Sequence, residues 1–490
     1  MSELQYQMFI GGESVDSVAE ETTPVRNPAN HEEIVGAVPK GTEEDARRAV
    51  DAAEVAFENS WWSDPYESRA RGRILWKASE SVAQGRSELA TTLTREQGKP
   101  LGEALGEVDS FANTLEYYAG YGGKISGSLY YVKDGDNKLE AKELKRPMGV
   151  CGAILPWNFP VSLLGWKLGA GLITGNTFVV KPASTTPLTN LMLAKILHRS
   201  GIPEGVVNVV TGPSYAVGKE IVENPKIRRV AFTGSTETGK KILLTGANQI
   251  KHITLELGGS DPTIVCDDAD LSLAAENIVY SGRFRNAGQS CTSVKRLYVF
   301  DNIADKLIEK LQQNVEKMKI GNGLDPEVDM GPLHNEVQRG LVEGMVGDAV
   351  DRGAKVVTGG GRPEGETYAK GYFYKPTLLV DVDEESTMLR EECFGPALPI
   401  QRVADMEEAI ERANASPYGL GASVWTKGEE NIRKFEEDVQ SGIKWINYKP
   451  LSTPETAFGG VKDSGIGREL GRKGLEEYLE TVSIRRRVFH

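Results

Sequence analysis

The chain has 490 residues, 39% of them apolar, which is more than one ordinary core requires and suggests two or three domains. Its formal net charge of -13 argues against nucleic acid or an anionic membrane as partner, because both are held by basic surface. The four cysteines, Cys151, Cys266, Cys291 and Cys393, are irregularly spaced without a Cys-x-x-Cys pair, and there are only five histidines, so neither a disulfide scaffold nor a metal site is expected.

In chain order, Met1-Ser2-Glu3-Leu4-Gln5 shows no basic region leading into an apolar stretch, and no run approaches the roughly 18 apolar residues of a membrane span. A cytoplasmic setting is expected. Residues 8–13 and 24–28 predict a short strand, a turn and a Pro-bounded extended segment on the edge of the first domain. From about 42 to 107 the spacing is helical, with small Ala-rich faces suited to close packing. Between about 125 and 144, Gly127-Ser128-Leu129-Tyr130-Tyr131-Val132 predicts a projecting hairpin.

From 149 to 258 short β-rich runs alternate with helical runs, the pattern of a parallel sheet wound with helices. Strands are predicted at 150–154, 177–180, 206–210 and 229–232, with helices starting near Val161, Thr189, Tyr215 and Thr236. Ligands of such sheets bind beyond the carboxyl ends of the strands. Pro156-Trp157-Asn158, Lys181-Pro182-Ala183-Ser184, Thr211-Gly212-Pro213 and Thr233-Gly234-Ser235 each fall there. Gly234-Ser235-Thr236-Glu237-Thr238-Gly239 has the outer glycines of a dinucleotide turn but lacks the middle one, so a phosphate there would be held differently from a standard site.

The stretch from 260 to 447 repeats the alternation, with strands predicted at 263–266, 296–300, 354–358, 374–380 and 421–425. Gly359 to Gly365 reads as a surface turn, since no phosphate-binding Lys-Ser/Thr follows it. This second α/β domain carries Phe284-Arg285-Asn286-Ala287-Gly288-Gln289-Ser290-Cys291-Thr292. A cysteine after a Gly-Gln turn, among small hydroxylated residues, is open to a substrate; taken alone, the buried, inert thiol is the more common case.

Together with Leu255-Glu256-Leu257-Gly258-Gly259 and Pro156-Trp157-Asn158-Phe159-Pro160, that stretch resembles the aldehyde dehydrogenase superfamily. Glu391-Glu392-Cys393-Phe394-Gly395-Pro396, Phe458-Gly459-Gly460-Val461-Lys462 and Ser464-Gly465-Ile466-Gly467-Arg468-Glu469 match as well, so the resemblance spans nearly the full chain. It implies an α/β fold of two Rossmann-like, doubly wound parallel-sheet domains plus a small oligomerisation hairpin. The implied units are a dinucleotide-binding domain at 1–124 and 148–259, a catalytic domain at 260–462, and oligomerisation segments at 125–147 and 475–490, the last pairing through 482–488; on sequence alone the two segments could equally be ordinary surface strands.

The same resemblance implies a small-molecule aldehyde substrate, NADP or NAD as coenzyme, no metal, and a homo-oligomer, dimer or tetramer. Cys291 is implied as nucleophile, Glu256 as general base and Asn158 as oxyanion donor. Lys167 and Glu469 match proton-relay positions, although each could be half of a structural ion pair. The coenzyme is expected at Pro156, Trp157, Lys181, Ala183, Ser184 and Gly212, and at Phe232, Gly234, Ser235, Gly239 and Leu257. Glu392 is implied on the nicotinamide-side ribose and Phe394 near the nicotinamide. Serine at 184, where a glutamate marks NAD enzymes, favours NADP. For the substrate two readings stay open: Arg285 would pair an acidic aldehyde, whereas Phe159, Trp166 and Phe458 would line an apolar pocket for a neutral one. Glu256 argues against the variant chemistry in which CoA, not water, takes the acyl group.

Overall fold

The structure, a computed structural model, describes residues 5–488; residues 1–4, where a leader was not expected, and 489–490 of the expected terminal segment lie outside them. The apolar runs of the first half form one sheet. Val150–Ile154 lies at its centre, parallel to Thr177–Lys181 on one side and Ile227–Thr233 on the other. Val207–Val209 and the hairpin of Met8–Ile10 with Glu13–Val15 extend one edge, and His252–Glu256 with Gly465–Ile466 the other. The two inner strands Val150–Ile154 and Thr177–Lys181 are buried at every residue, which is why the sequence shows continuous apolar runs rather than alternation.

Helices cover this sheet, and their starts are chemically marked. Thr42 and Asp45 cap helix Glu43–Asn59 reciprocally, and Ala46, Ala49, Val50 and Ala53 form its buried stripe. Helix Pro160–Ile173 is buried along its whole length, which requires small residues where it crosses helix Leu101–Ala119. A Cβ on Gly165 would stand 2.9 Å from the Phe111 ring, and one on Gly169 2.7 Å from that of Tyr118. This crossing fixes the start of the helix, and with it Asn158 and Phe159 just upstream.

The second sheet has the order Lys355–Thr358, Thr377–Val380, Ala397–Val403, Arg296–Phe300, Pro262–Val265, Gly421–Trp425, Ile443–Ile446, parallel throughout except for its first strand. Sequence reasoning missed two of these, Ala397–Val403 and Ile443–Ile446. The first carries Pro399, which normally argues against an interior strand. The predicted strand at 374–380 begins only at Thr377, after Pro376.

The expected hairpin is present as Ser128–Asp134 and Asn137–Pro147, and Leu479–Arg487 from the chain's end pairs with its second strand as a third. No helix among the described residues is long and apolar enough to cross a membrane.

Candidate active site

The loop before Cys291 is held in a costly conformation. Asn286 (φ 51), Ala287 (φ 53) and Gly288 (φ 72) are all left-handed, and only glycine adopts that region freely. A Cβ on Gly288 would lie 2.2 Å from the Gly395 carbonyl oxygen, so no other residue fits that turn. Buried hydrogen bonds hold the strained pair in place. Asn286 N–H donates to Glu103 Oε1 (3.0 Å), and its Nδ2 donates to the carbonyls of Asn158 (3.0 Å) and Gln289 (3.2 Å). Its Oδ1 accepts from Gln97 Nε2 at 3.0 Å. Gln289 donates back to the Asn286 carbonyl and accepts the His334 N–H at 2.8 Å.

Cys291 emerges from this loop between two cavities. The wider, about 700 Å³, has Phe159, Trp166, Arg285 and Phe458 in its wall, as well as Asp109, Glu116 and Glu455. The narrower, about 240 Å³, is bounded by Pro156, Trp157, Asn158, Thr233, Gly234, Ser235, Glu256, Leu257, Glu392 and Phe394. Among the described residues, Cys291 is the one that lines both. The other three cysteines are buried.

Asn158 is fixed from both ends. Its Nδ2 donates to the Gln289 carbonyl (3.1 Å), while its own carbonyl accepts from Lys99 Nζ (2.8 Å). Lys99 is buried and paired with Glu107, whose other oxygen accepts the Val161 and Ser162 N–H groups at 2.8 and 3.1 Å. That carboxylate therefore caps helix Pro160–Ile173, an arrangement favoured at a helix N-terminus. Lys99, Glu107, Asn286, Gln289 and His334 are functional neighbours that sequence reasoning missed. Many of their partners lie on remote segments, such as Asn158 for Lys99 and Asn286, Val161 for Glu107 and Trp157 for His334, and no local spacing announces those.

Glu256 ends strand His252–Glu256, and neither of its buried oxygens has a hydrogen-bond partner among the described residues. Burial, followed by the charge of Glu469, raises its pKa well above the carboxylate range, against the pull of Lys167. Lys167 Nζ donates to Glu469 Oε1 (2.6 Å) and Thr233 Oγ1 (2.7 Å), so the ion pair allowed for in the sequence is formed. Glu469 Oε2 is left unpartnered. Burial pushes the Cys291 thiol up to about 12, with Lys295 opposing and Asp261, Glu392 and Glu256 adding to the rise.

The expected coenzyme residues divide into groups. Pro156, Trp157, Gly234, Ser235, Leu257, Glu392 and Phe394 line the narrower cavity. Trp157 stacks on His334 (centroids 4.4 Å apart, 5° between planes) and meets Phe394 edge-on, so two perpendicular rings line the cavity. Ser235 caps helix Thr236–Ala247, whose opening N–H groups suit a phosphate. Phe232 and Gly239 do not line that cavity but pack against Gly234 and Leu257, which do. The Phe232 ring fills the space beside Gly234, and a Cβ on Gly239 would come 2.4 Å from Leu257. Ser184 and Gly212 line a separate recess of about 180 Å³ with Lys40, and Ser184 Oγ donates to the Gly212 carbonyl (3.2 Å). Lys181 and Ala183 lie at the end of the strand leading to it; burial lowers the Lys181 ammonium to about 8. A cleft with aromatic lining, a helix N-terminus and the Glu392 carboxylate has the groups that would suit a dinucleotide.

A sequence profile of the aldehyde dehydrogenase family matches residues 15–484. Betaine aldehyde dehydrogenase of Bacillus subtilis (strain 168) is 39% identical over 479 residues, covering 98% of this chain and 97% of that one. The NADP(+) succinate-semialdehyde dehydrogenase GabD of Escherichia coli (strain K12) is 42% identical over 474 residues, covering 97% and 96%. Among solved structures, an E. coli NADP-dependent enzyme superposes with a TM-score of 0.95 at 41% identity, covering 99% of this chain and 98% of the other. Betaine aldehyde dehydrogenase from Staphylococcus aureus in complex with NAD+ gives 0.95 at 36%, covering 98% and 94%.

Proposed function

The chain belongs to the aldehyde dehydrogenase family and oxidises aldehydes to carboxylic acids with NAD(P), and we propose that Cys291 is its nucleophile, Asn158 its oxyanion donor and Glu256 its general base. The observation that carries this reading is the position of Cys291 as the residue common to both cavities, open to an aldehyde from the wider side and to a coenzyme from the narrower. The thiolate adds to the aldehyde carbon, forming a carbon–sulfur bond and an oxyanion. Asn158 Nδ2 has a second N–H beyond the one given to Gln289, and with the Cys291 amide it supplies two donors to that charge. The nicotinamide coenzyme, when bound, supplies the hydride acceptor. Glu256, with both oxygens open, takes a proton from the water that attacks the resulting thioester, which releases the acid and the sulfur. Lys167 and Glu469 carry that proton onward in this reading, since the free Glu469 oxygen belongs to the group whose charge already acts on Glu256.

The division into a coenzyme-binding unit (1–124 and 148–259), a catalytic unit (260–462) and oligomerisation segments (125–147 and 475–490) is part of the same proposal, as is assembly into a dimer or tetramer. So is a preference for NADP, supported by the neutral Ser184 hydroxyl and by Lys181 at the end of the strand leading to it; Lys40, in the same recess, is already paired with Glu21 at 2.7 Å. For the substrate we favour neutral aldehydes. Arg285 lies 5.0 Å over the Phe159 ring and 3.9 Å from the Glu103 carboxylate, and Glu116 and Glu455 share the same cavity. An added carboxylate would meet a cation already partnered. With NADP and no CoA, a neutral aldehyde should give a kcat/KM above that of succinate semialdehyde. Reduction of coenzyme only when CoA is present, or with no aldehyde of a broad panel, would overturn the hydrolytic reading; the reverse order of the two substrates would overturn the neutral preference.

A further inference from the structure

Four residues beyond Cys291 is a buried lysine for which the reaction above has no use. The Lys295 side chain has no exposed surface; its Nζ donates to the Cys291 carbonyl (2.5 Å) and pairs with Glu392 Oε1 at 2.9 Å. The same Glu392 oxygen accepts the Gly259 N–H at 3.1 Å. The backbone around Lys295 is equally constrained, because the Lys295 and Arg296 N–H groups both donate to the Asp261 carbonyl, at 3.0 and 3.2 Å. We infer that Lys295 is a positioning residue that fastens the Cys291 main chain to the Glu392 carboxylate, so that one buried cation holds both the nucleophile and the coenzyme-side acid. The inference rests on the proposed roles of Cys291 and Glu392.

The surrounding charges show why a cation belongs there. Asp261 and Glu256 face Cys291 from the strand ends and Glu392 from the loop after helix Thr387–Arg390, all three carboxylates raising the thiol's pKa. Lys295 is the cation opposing them. Arg296, next in sequence, spends its guanidinium on the carbonyls of Ser260, Arg412 and Ala413 and on the Tyr298 hydroxyl. Without Lys295, a forming thiolate would meet three carboxyl groups and no neighbouring ammonium, and the Glu392 carboxylate would lose its charged anchor.

The test is alkylation of coenzyme-free protein by iodoacetamide, whose early rate reports Cys291 because the other three cysteines are buried. In Lys295→Met the pH profile should move up by roughly one unit, about tenfold slower near neutrality, and the KM for coenzyme should rise. Lys295→Arg should restore the profile, since it keeps the charge, but not the KM, since its planar fork reaches Glu392 differently. Glu392→Gln should move the profile the opposite way. A Lys295→Met profile superimposable on wild type, in protein of wild-type melting temperature, overturns the inference. Should that variant not fold, a Lys295→Arg profile displaced as far as expected for charge loss overturns it instead. If Glu392→Gln leaves the coenzyme KM unchanged, the role given to Glu392 is what fails, and the alkylation profiles still decide Lys295.

Discussion

Single residues set the chemistry through the charges around them. A thiol pushed up to about 12 is mostly protonated near neutrality, so the coenzyme-free protein should alkylate faster as pH rises. Cys291, Glu256 and Asn158 were legible as residues because each stands in a distinctive motif, whereas their support was not. Lys295 occurs in an ordinary Ser293-Val294-Lys295-Arg296 run, and only the fold reveals that its side chain turns inward. Ser184 bears the coenzyme prediction. Ser184→Glu would place a carboxylate in the recess shared with Gly212 and Lys40, repelling a 2′-phosphate of about -1.5 to -2 charge. The kcat/KM ratio should shift from NADP towards NAD, mostly through a raised KM for NADP. An unchanged ratio would remove Ser184 from coenzyme selection.

Elements transmit position to those residues, and the segment around His334 is the clearest case. His334 precedes helix Glu336–Asp351, stacks on Trp157, and its Nε2 lies 2.6 Å from Thr185 Oγ1. Burial, with Lys99 assisting, lowers its pKa to about 4. A lowered histidine pKa means that the unfolded chain binds the proton first, so stability is lost as pH falls from about 6.5 towards 4. Between pH 7 and pH 5 this contributes a loss of about 2 kcal/mol. Urea unfolding at the two pH values should isolate that term as a difference between proteins, wild type losing about that much more stability on acidification than His334→Gln. Equal pH dependence in the two proteins would contradict it. At this scale the sequence was informative wherever a strand is a continuous apolar run and silent where the run is interrupted, as by Pro399. The cap that Glu107 gives to helix Pro160–Ile173 was invisible because its partners lie some 50 positions away, at distances of 54 and 55.

Across the whole molecule, the two wound sheets leave Cys291 between them, and a small three-stranded sheet projects. The pairing of the hairpin with the chain's end was expected from family resemblance, not from any spacing in the two segments. That small sheet exposes Leu129, Tyr130, Tyr131, Val132 and Ile484, with Tyr131 80% accessible. Apolar exposure on an otherwise acidic molecule suits burial against a second copy. Tyr131→Asp should give a smaller species than wild type in analytical ultracentrifugation at equal concentration. Identical sedimentation would take this sheet out of the proposed assembly.

The division of labour between Cys291 and Glu256 is open to one measurement, stopped-flow formation of reduced coenzyme after mixing with aldehyde. Glu256→Gln should produce a burst close to one equivalent per Cys291 and then turn over slowly, because acylation is intact and the thioester waits for an activated water. Cys291→Ala should produce neither burst nor turnover. Wild-type steady-state turnover in Glu256→Gln, or a burst in Cys291→Ala, would contradict the account.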